Sequence, residues 1–241
     1  MHADFHTHIL PCVDDGSRSV EQSLEMLRQC KKMGIRHVIL TPHFYADRDH
    51  PDRFLERRSA AFAALQEAVA EEDVPAVIPG AEVHYFPNMG SSDVLRKLSI
   101  GGSRYILVEM PMCCWSERML RDLEMIRANQ GLTPILAHLD RYLTPFNACK
   151  ILRQVSELPV MVQVNGEFFL ERRTARLALR MLDRGHIHLL GSDCHNLTER
   201  KPNLGPVREV IFSKLGKEPL KLIAYYEQRV IGGDMKNEET S

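Results

Sequence analysis

Nine side chains in this 241-residue chain have the chemistry to hold metal ions: His6, His8, Asp15, His43, Glu82, Glu109, His138, Asp193 and His195. Imidazoles mixed with carboxylates form a nitrogen–oxygen donor set, which suits zinc, manganese or iron rather than a soft thiolate site. His6-Thr7-His8 puts two imidazoles on alternate residues, and alternate residues of a strand share a face. Asp193-Cys194-His195 repeats that spacing, with Cys194 turned the other way. A carboxylate such as Glu82 can bridge two ions. Ions about 3.5–4 Å apart clamp the attacking and leaving oxygens of a phosphoryl displacement. A single H-x-H or D-x-H is usually incidental. Glu82 and Glu109, however, directly follow apolar runs, where a buried carboxylate without a partner costs several kcal/mol. Taken together the nine point to a polynuclear ion site. The remaining histidines (His2, His37, His50, His84, His186 and His188) read as surface, core or supporting residues. His84, two positions after Glu82, lies nearest the boundary.

Most of the nine sit where a short apolar run ends. Strand-like runs cover residues 3–5, 37–40, 76–78, 105–108, 134–137, 160–164 and 187–190. Helical patterns separate most of them. Val20, Leu24, Leu27 and Cys30 form one stripe, closed by Gly34. Phe54, Phe62, Leu65 and Val69 form another, and Leu120, Leu123 and Ile126 a third. Such alternation predicts parallel βα units. An open doubly wound sheet would gather its chemistry at one switch point. Here six of the seven strand ends carry His, Asp or Glu, and the seventh carries Asn165. That distribution favours an α/β fold of the distorted seven-stranded (β/α) TIM-like barrel type, with the site at the strand tips. One domain is expected over residues 1–233, followed by a polar tail at 234–241 that frays.

The bulk composition narrows the function classes. A formal net charge of -1 gives no reason to expect a nucleic-acid groove or a basic membrane-binding surface. No apolar run approaches the roughly 18 residues of a membrane span. The N-terminus enters Asp4-Phe5-His6 without a signal-like segment, so a cytoplasmic location is expected. Six cysteines without a CxxC pair fit reduced thiols. The thiol-phosphatase pattern C-x5-R occurs three times, at Cys12…Arg18, Cys30…Arg36 and Cys194…Arg200. Cys12 would carry Asp14 and Asp15 inside its anion loop, Cys30 falls inside a predicted helix, and Cys194 is wedged between two candidate ligands. Thiol catalysis is therefore not expected.

The order of these motifs resembles the polymerase-and-histidinol-phosphatase (PHP) superfamily. Asp4-Phe5-His6-Thr7-His8, Val13-Asp14-Asp15-Gly16, Gly80-Ala81-Glu82, Ala137-His138-Leu139-Asp140-Arg141-Tyr142 and Ser192-Asp193-Cys194-His195-Asn196 look like the bacterial capsular-polysaccharide tyrosine phosphatases. The resemblance implies a PHP-type barrel holding three divalent ions, manganese first, with iron or zinc as alternatives. By it, His6, His8, Glu82 and Asp193 hold one ion. Glu82, Glu109 and His138 hold the second. Asp15, preferred to Asp14, holds the third with His43 and His195. Arg141 and Arg200 match arginines that bind the phosphoryl group, and His43 or a coordinated water is the candidate acid. The resemblance further implies a phosphorylated bacterial tyrosine autokinase of exopolysaccharide export as the partner. A histidinol-phosphate or other small-molecule phosphatase, and a regulatory module that keeps its ions without catalysis, are the alternatives. Cys113-Cys114-Trp115 and the segment from His43 to His50 match no firm family expectation, which leaves substrate choice open.

Overall fold

The structure is a computed structural model describing residues 1–144 and 146–232. Among these residues the strands are β1 (Ala3–Thr7), β2 (His37–Leu40), β3 (His43–Phe44), β4 (Ala76–Pro79), β5 (Glu82–His84), β6 (Tyr105–Glu109), β7 (Thr133–Leu136), β8 (Met161–Asn165) and β9 (Leu189–Gly191). The helices are α1 (Val20–Lys32), α2 (Pro51–Val69), α3 (Val94–Leu98), α4 (Glu117–Gln130), α5 (Ala148–Ser156), α6 (Glu167–Leu170), α7 (Ala175–Asp183), α8 (Leu204–Leu215) and α9 (Glu218–Ile231). A three-stranded sheet runs β1-β2-β4, and a six-stranded sheet runs β3-β5-β6-β7-β8-β9. Every strand pair is parallel.

All seven expected runs form strands, but two of the strand paths are interrupted. The second resumes as β3 after Thr41-Pro42, where proline has no N–H for a ladder. The third resumes as β5 after Gly80-Ala81. Together they carry the curl from one sheet into the other. The curl then returns to its start: the Asp193 N–H donates to the His6 carbonyl at 2.7 Å, and the His8 N–H to the Cys194 carbonyl at 2.9 Å. The result is the expected barrel in distorted form, a curled parallel α/β sheet. β9 begins at Leu189, so His188 lies just before the strand and not within it.

Alternating residues of the strands divide the core. Phe5, Ile39, Leu107, Ile135 and Leu189 share the interior with Tyr105 and Val230. Val38, Leu40, Ile106, Val108 and Leu136 face outward onto helix residues such as Leu27, Phe54, Leu123 and Ile126. Strict alternation from Ala3 and Phe5 would turn His6 and His8 outward. A register shift in β1 between Asp4 and Thr7 prevents this; such a bulge re-aims the side chains that follow it. Helix boundaries follow local chemistry. Ser19 caps α1 by accepting from the Gln22 N–H, and α2 opens with Pro51, whose missing N–H has no partner to lose there. The expected tail at 234–241 lies outside the described residues. No helix among the described residues is long and apolar enough to cross a membrane.

Candidate metal centre

The strand tips converge on one face. His6 and His8 leave β1 with their Nε2 atoms 3.2 Å apart. Glu82, the first residue of β5, brings Oε2 to 3.1 Å from His6 Nε2 and 3.4 Å from His8 Nε2. Asp193, after β9, places Oδ1 3.7 and 3.3 Å from the same two nitrogens. Glu82 Oε1 lies 2.8 Å from His138 Nε2, and Glu109 Oε1 lies 3.3 Å from that nitrogen. Asp15 Oδ1 sits 3.4 Å from His195 Nε2 and 3.6 Å from His43 Nε2. All nine expected residues thus come together. Their groupings overlap more than the sequence implied: His8 also clusters with Asp15, His43 and His195, and His43 also clusters with Glu82 and Glu109.

These separations suit ligands around cations. Two donors about 2.1 Å from one ion, at tetrahedral or octahedral angles, lie about 3.0–3.4 Å apart. Glu82 Oε2, His43 Nδ1 and His195 Nε2 are buried without a hydrogen-bond partner, and each such orphan costs about 1–3 kcal/mol. His43 Nδ1 approaches Glu82 Oε2 to 2.9 Å without hydrogen-bond alignment. A nitrogen–oxygen donor set with its orphans gathered at one point fits divalent ions.

The electrostatics agree. Burial alone would raise the carboxyl pKa values here. For Glu82 and Asp193 burial is the largest single influence, yet the facing cationic groups, His6 first among them, together overcome it and hold both well below the usual range. Hydrogen bonds from His138 and His84 bring Glu109 down to about 2 despite its burial. Burial would likewise lower His138, but Glu109 and Glu82 raise it to about 9. His8 is raised well above its ordinary value because Asp14, Asp193 and Glu82 overcome its burial. His195, pressed by burial and then by the charge of His8, falls to about 4. Protons on His8 and His138 thus offset part of the carboxylate charge, and ions entering here would displace them.

Residues outside the nine hold them in place. Asp14 accepts from His8 Nδ1 at 2.6 Å and from the backbone N–H groups of His43 and Gly16. Its side chain is 6% exposed, whereas that of Asp15 is 67% exposed. A Cβ on Gly16 would lie 2.0 Å from the His8 carbonyl oxygen, so this turn requires glycine. His84 Nδ1 lies 2.9 Å from Glu109 Oε2, a supporting contact. Gln163 is wholly buried in β8. Its Oε1 accepts the His138 N–H at 2.6 Å and lies 3.3 Å from His6 Nδ1. Its Nε2 donates to Asn165 Oδ1, and Asn165 Nδ2 donates to Asp193 Oδ2 at 3.0 Å. Sequence reasoning missed the roles of Asp14 and Gln163, although D-D-G and the Gln163-x-Asn165 alternation at a strand tip were visible signals.

Arg141 and Arg200 both reach the centre. Arg141 pairs with Asp193 Oδ2, and Arg200 pairs with Asp193 Oδ1 at 2.7 Å. The cysteines stand apart. Cys30 and Cys194 are buried, and burial raises both thiols well above the ordinary range. Cys12 is exposed and donates to the Arg18 carbonyl oxygen.

A curled parallel α/β sheet that collects imidazoles and carboxylates at its strand tips defines a class, the barrels built to carry several divalent ions. Residues 2–231 match the family model for capsular polysaccharide synthesis, CpsB/CapC, and the chain belongs to that family. It is 28% identical over 244 residues to the tyrosine-protein phosphatase CpsB of Streptococcus pneumoniae, covering 90% of this chain and 93% of the relative. It is 27% identical over 227 residues to the tyrosine-protein phosphatase YwqE of Bacillus subtilis, covering 89% and 85%. A solved structure from work on YwqE and CpsB, described as unique metal-dependent tyrosine phosphatases, superposes with a TM-score of 0.83 at 25% identity, covering 96% of this chain and 95% of that one. The histidinol phosphate phosphatase of Lactococcus lactis, solved with zinc, L-histidinol and phosphate, shares the fold: TM-score 0.54 at 14% identity, covering 93% and 92%.

Proposed function

We propose that this protein is a metal-dependent phosphomonoesterase that hydrolyses phosphotyrosine on a bacterial tyrosine autokinase of capsular or exopolysaccharide export, in the cytoplasm. The observation that carries the reading is the meeting of His6, His8, Glu82 and Asp193 within 3.1–3.7 Å, with two guanidinium groups on the same Asp193. Similarity to two tyrosine-protein phosphatases over most of the chain supports it.

In this reading His6, His8, Glu82 and Asp193 hold one ion, and Glu82, Glu109 and His138 a second. Asp15, His43 and His195 hold a third. Manganese is the assigned metal, with iron and zinc compatible with the same donors. Divalent ions in such a set activate water and offset charge on the phosphoryl oxygens. Arg141 and Arg200 supply planar forks that match phosphate geometry two bonds at a time. Both ring nitrogens of His43 face carboxylates, Glu82 and Asp15, so we assign His43 to the ion set. The phenolate leaving group has a parent pKa near 10 and needs less protonation than an alkoxide would. Asp14 orients His8, and His84 orients Glu109, so that the donors keep their lone pairs inward.

Kinetics on a phosphotyrosine peptide and on histidinol phosphate, with metal-loaded protein, test this reading. It predicts a clear preference for the peptide in kcat/KM. A preference for histidinol phosphate would replace phosphotyrosine as the substrate, and a metal-loaded protein inactive on both would mark a regulatory module.

A further inference from the structure

Two cavities touch residues of the ion site, and their chemistry differs. One, of about 540 Å³, is lined by five charged side chains, among them Asp15, Asp49 and Arg57, together with His43, Tyr45 and Val13. The other, of about 330 Å³, lies between the connection that follows β6 and the first turns of α5. Arg141, which pairs with Asp193 of the centre, also lines it and so sets it beside the centre. Met112, Trp115, Tyr142 and Ile151 give it apolar walls, and Lys150 adds a second cation; no carboxylate lines it.

The aromatic pair is fixed in place. Trp115 and Tyr142 meet edge to face with centroids 5.1 Å apart, and the Tyr142 ring lies 5.8 Å from that of His138. Trp115 Nε1 donates to the Pro111 carbonyl and Tyr142 Oη donates to the Met110 carbonyl. Both polar ends are therefore satisfied by backbone, and the pair offers the cavity carbon. Met112, 70% exposed on the same segment, provides a flexible thioether wall.

We infer that this groove receives the aryl ring of the substrate phosphotyrosine, and that Lys150 pairs with an acidic residue beside that tyrosine in the substrate peptide. The inference rests on the phosphatase reading above and specifies how it selects its substrate. A phosphoryl group on Arg141 leaves its ring one ester bond away, and Arg141 itself lines the groove. In the other cleft it would meet the Tyr45 ring, but the five charged side chains around that ring would lose water without gaining replacement bonds. In the groove it meets two aromatic rings in a setting that favours edge-to-face contact. With Arg141 engaged by Asp193 and the phosphoryl group, Lys150 is the groove cation that faces an acidic peptide flank, and no carboxylate lines the groove to oppose it.

The test compares phenylphosphonate with methylphosphonate, two non-hydrolysable ligands, by calorimetric titration of the metal-loaded protein. Wild type is expected to bind phenylphosphonate at least about tenfold more tightly, and Trp115→Ala to erase most of that margin, with Trp115→Phe restoring part of it. Absence of a margin in wild type, or equal weakening of both ligands in Trp115→Ala, would overturn the ring assignment. Because Trp115 is only 8% exposed, a second variant at an exposed position guards against misfolding. Lys150→Glu is expected to lower kcat/KM for an acid-flanked phosphotyrosine peptide about tenfold more than for a neutral-flanked one; equal changes would overturn the role of Lys150. Failure of the phosphatase reading itself looks different: wild type would hydrolyse no phosphotyrosine peptide, whatever the phosphonate margin.

Discussion

Glu82 is the residue on which most contacts of the centre converge. One oxygen faces His6, His8 and His43, and the other faces His138. Glu82→Gln keeps the shape and removes the charge, so it should lose bound metal and reduce phosphotyrosine hydrolysis by about 100-fold or more, a few kcal/mol of transition-state stabilisation. Metal analysis beside steady-state kinetics checks both. Arg141→Lys keeps a cation but loses the planar fork, and kcat/KM should fall by about 100-fold while metal content holds. At this scale the sequence was nearly sufficient to pick out the nine residues that meet, because imidazoles and carboxylates at strand ends have few other uses. It could not separate the tasks of adjacent residues. Asp14 and Asp15 are the same residue type, and only packing shows that Asp14 braces His8 while Asp15 stands exposed near His43 and His195.

At the scale of elements, β8 carries no candidate ligand at its tip, yet it ties three other strands together. Gln163 meets His6 from β1 and the backbone of His138 after β7, and Asn165 meets Asp193 after β9. Gln163→Leu should lower metal affinity by about 10–100-fold, the usual cost of losing a group that orients a ligand. Gln163→Glu, which keeps an acceptor facing both partners, should recover most of that affinity in a metal titration. An amide carries no ion-binding signature, so no role for Gln163 was legible from its residue type alone. The β1 bulge and the breaks at Pro42 and Gly80 were hidden for another reason: apolar runs reveal strands but not their register. A pH effect belongs here too. His188, just before β9, accepts the Val162 N–H at 3.0 Å, and burial followed by the neighbouring His186 lowers its pKa to about 4 from 6.5. The unfolded chain therefore takes up this proton first as pH falls. The contribution is complete above about pH 6.5 and is lost progressively between 6.5 and 4. Chemical denaturation across that window should show wild type losing about 2 kcal/mol more than His188→Gln.

Across the whole molecule, candidate ligands come from the ends of β1, β7 and β9, from β3, β5 and β6, and from the turn at Asp15. Ions bound there would join the two sheets where β1 and β9 meet through only a few backbone hydrogen bonds. Binding linkage then predicts that metal at about 100 times its dissociation constant stabilises the fold by about 2.7 kcal/mol. For a chain of this size that corresponds to a rise in Tm of roughly 5–10 °C, reversed by chelator. The alternation of elements made the parallel α/β architecture legible, and the spread of ligands over its strand ends distinguished a curled sheet from an open one. What stayed hidden was the surface around the site, because the groove at Trp115 and Tyr142 joins an irregular connection after β6 to the start of α5, and no periodic signal reports that juxtaposition. The central claim is that ions held by these nine residues, and not a thiol, drive phosphotyrosine hydrolysis. Its most direct test measures hydrolysis of a phosphotyrosine peptide with and without chelator, in wild type and in Cys12→Ser, with bound metal quantified in each sample. Activity should vanish with chelator, return with added metal and survive Cys12→Ser; chelator-resistant activity that disappears in Cys12→Ser would contradict it.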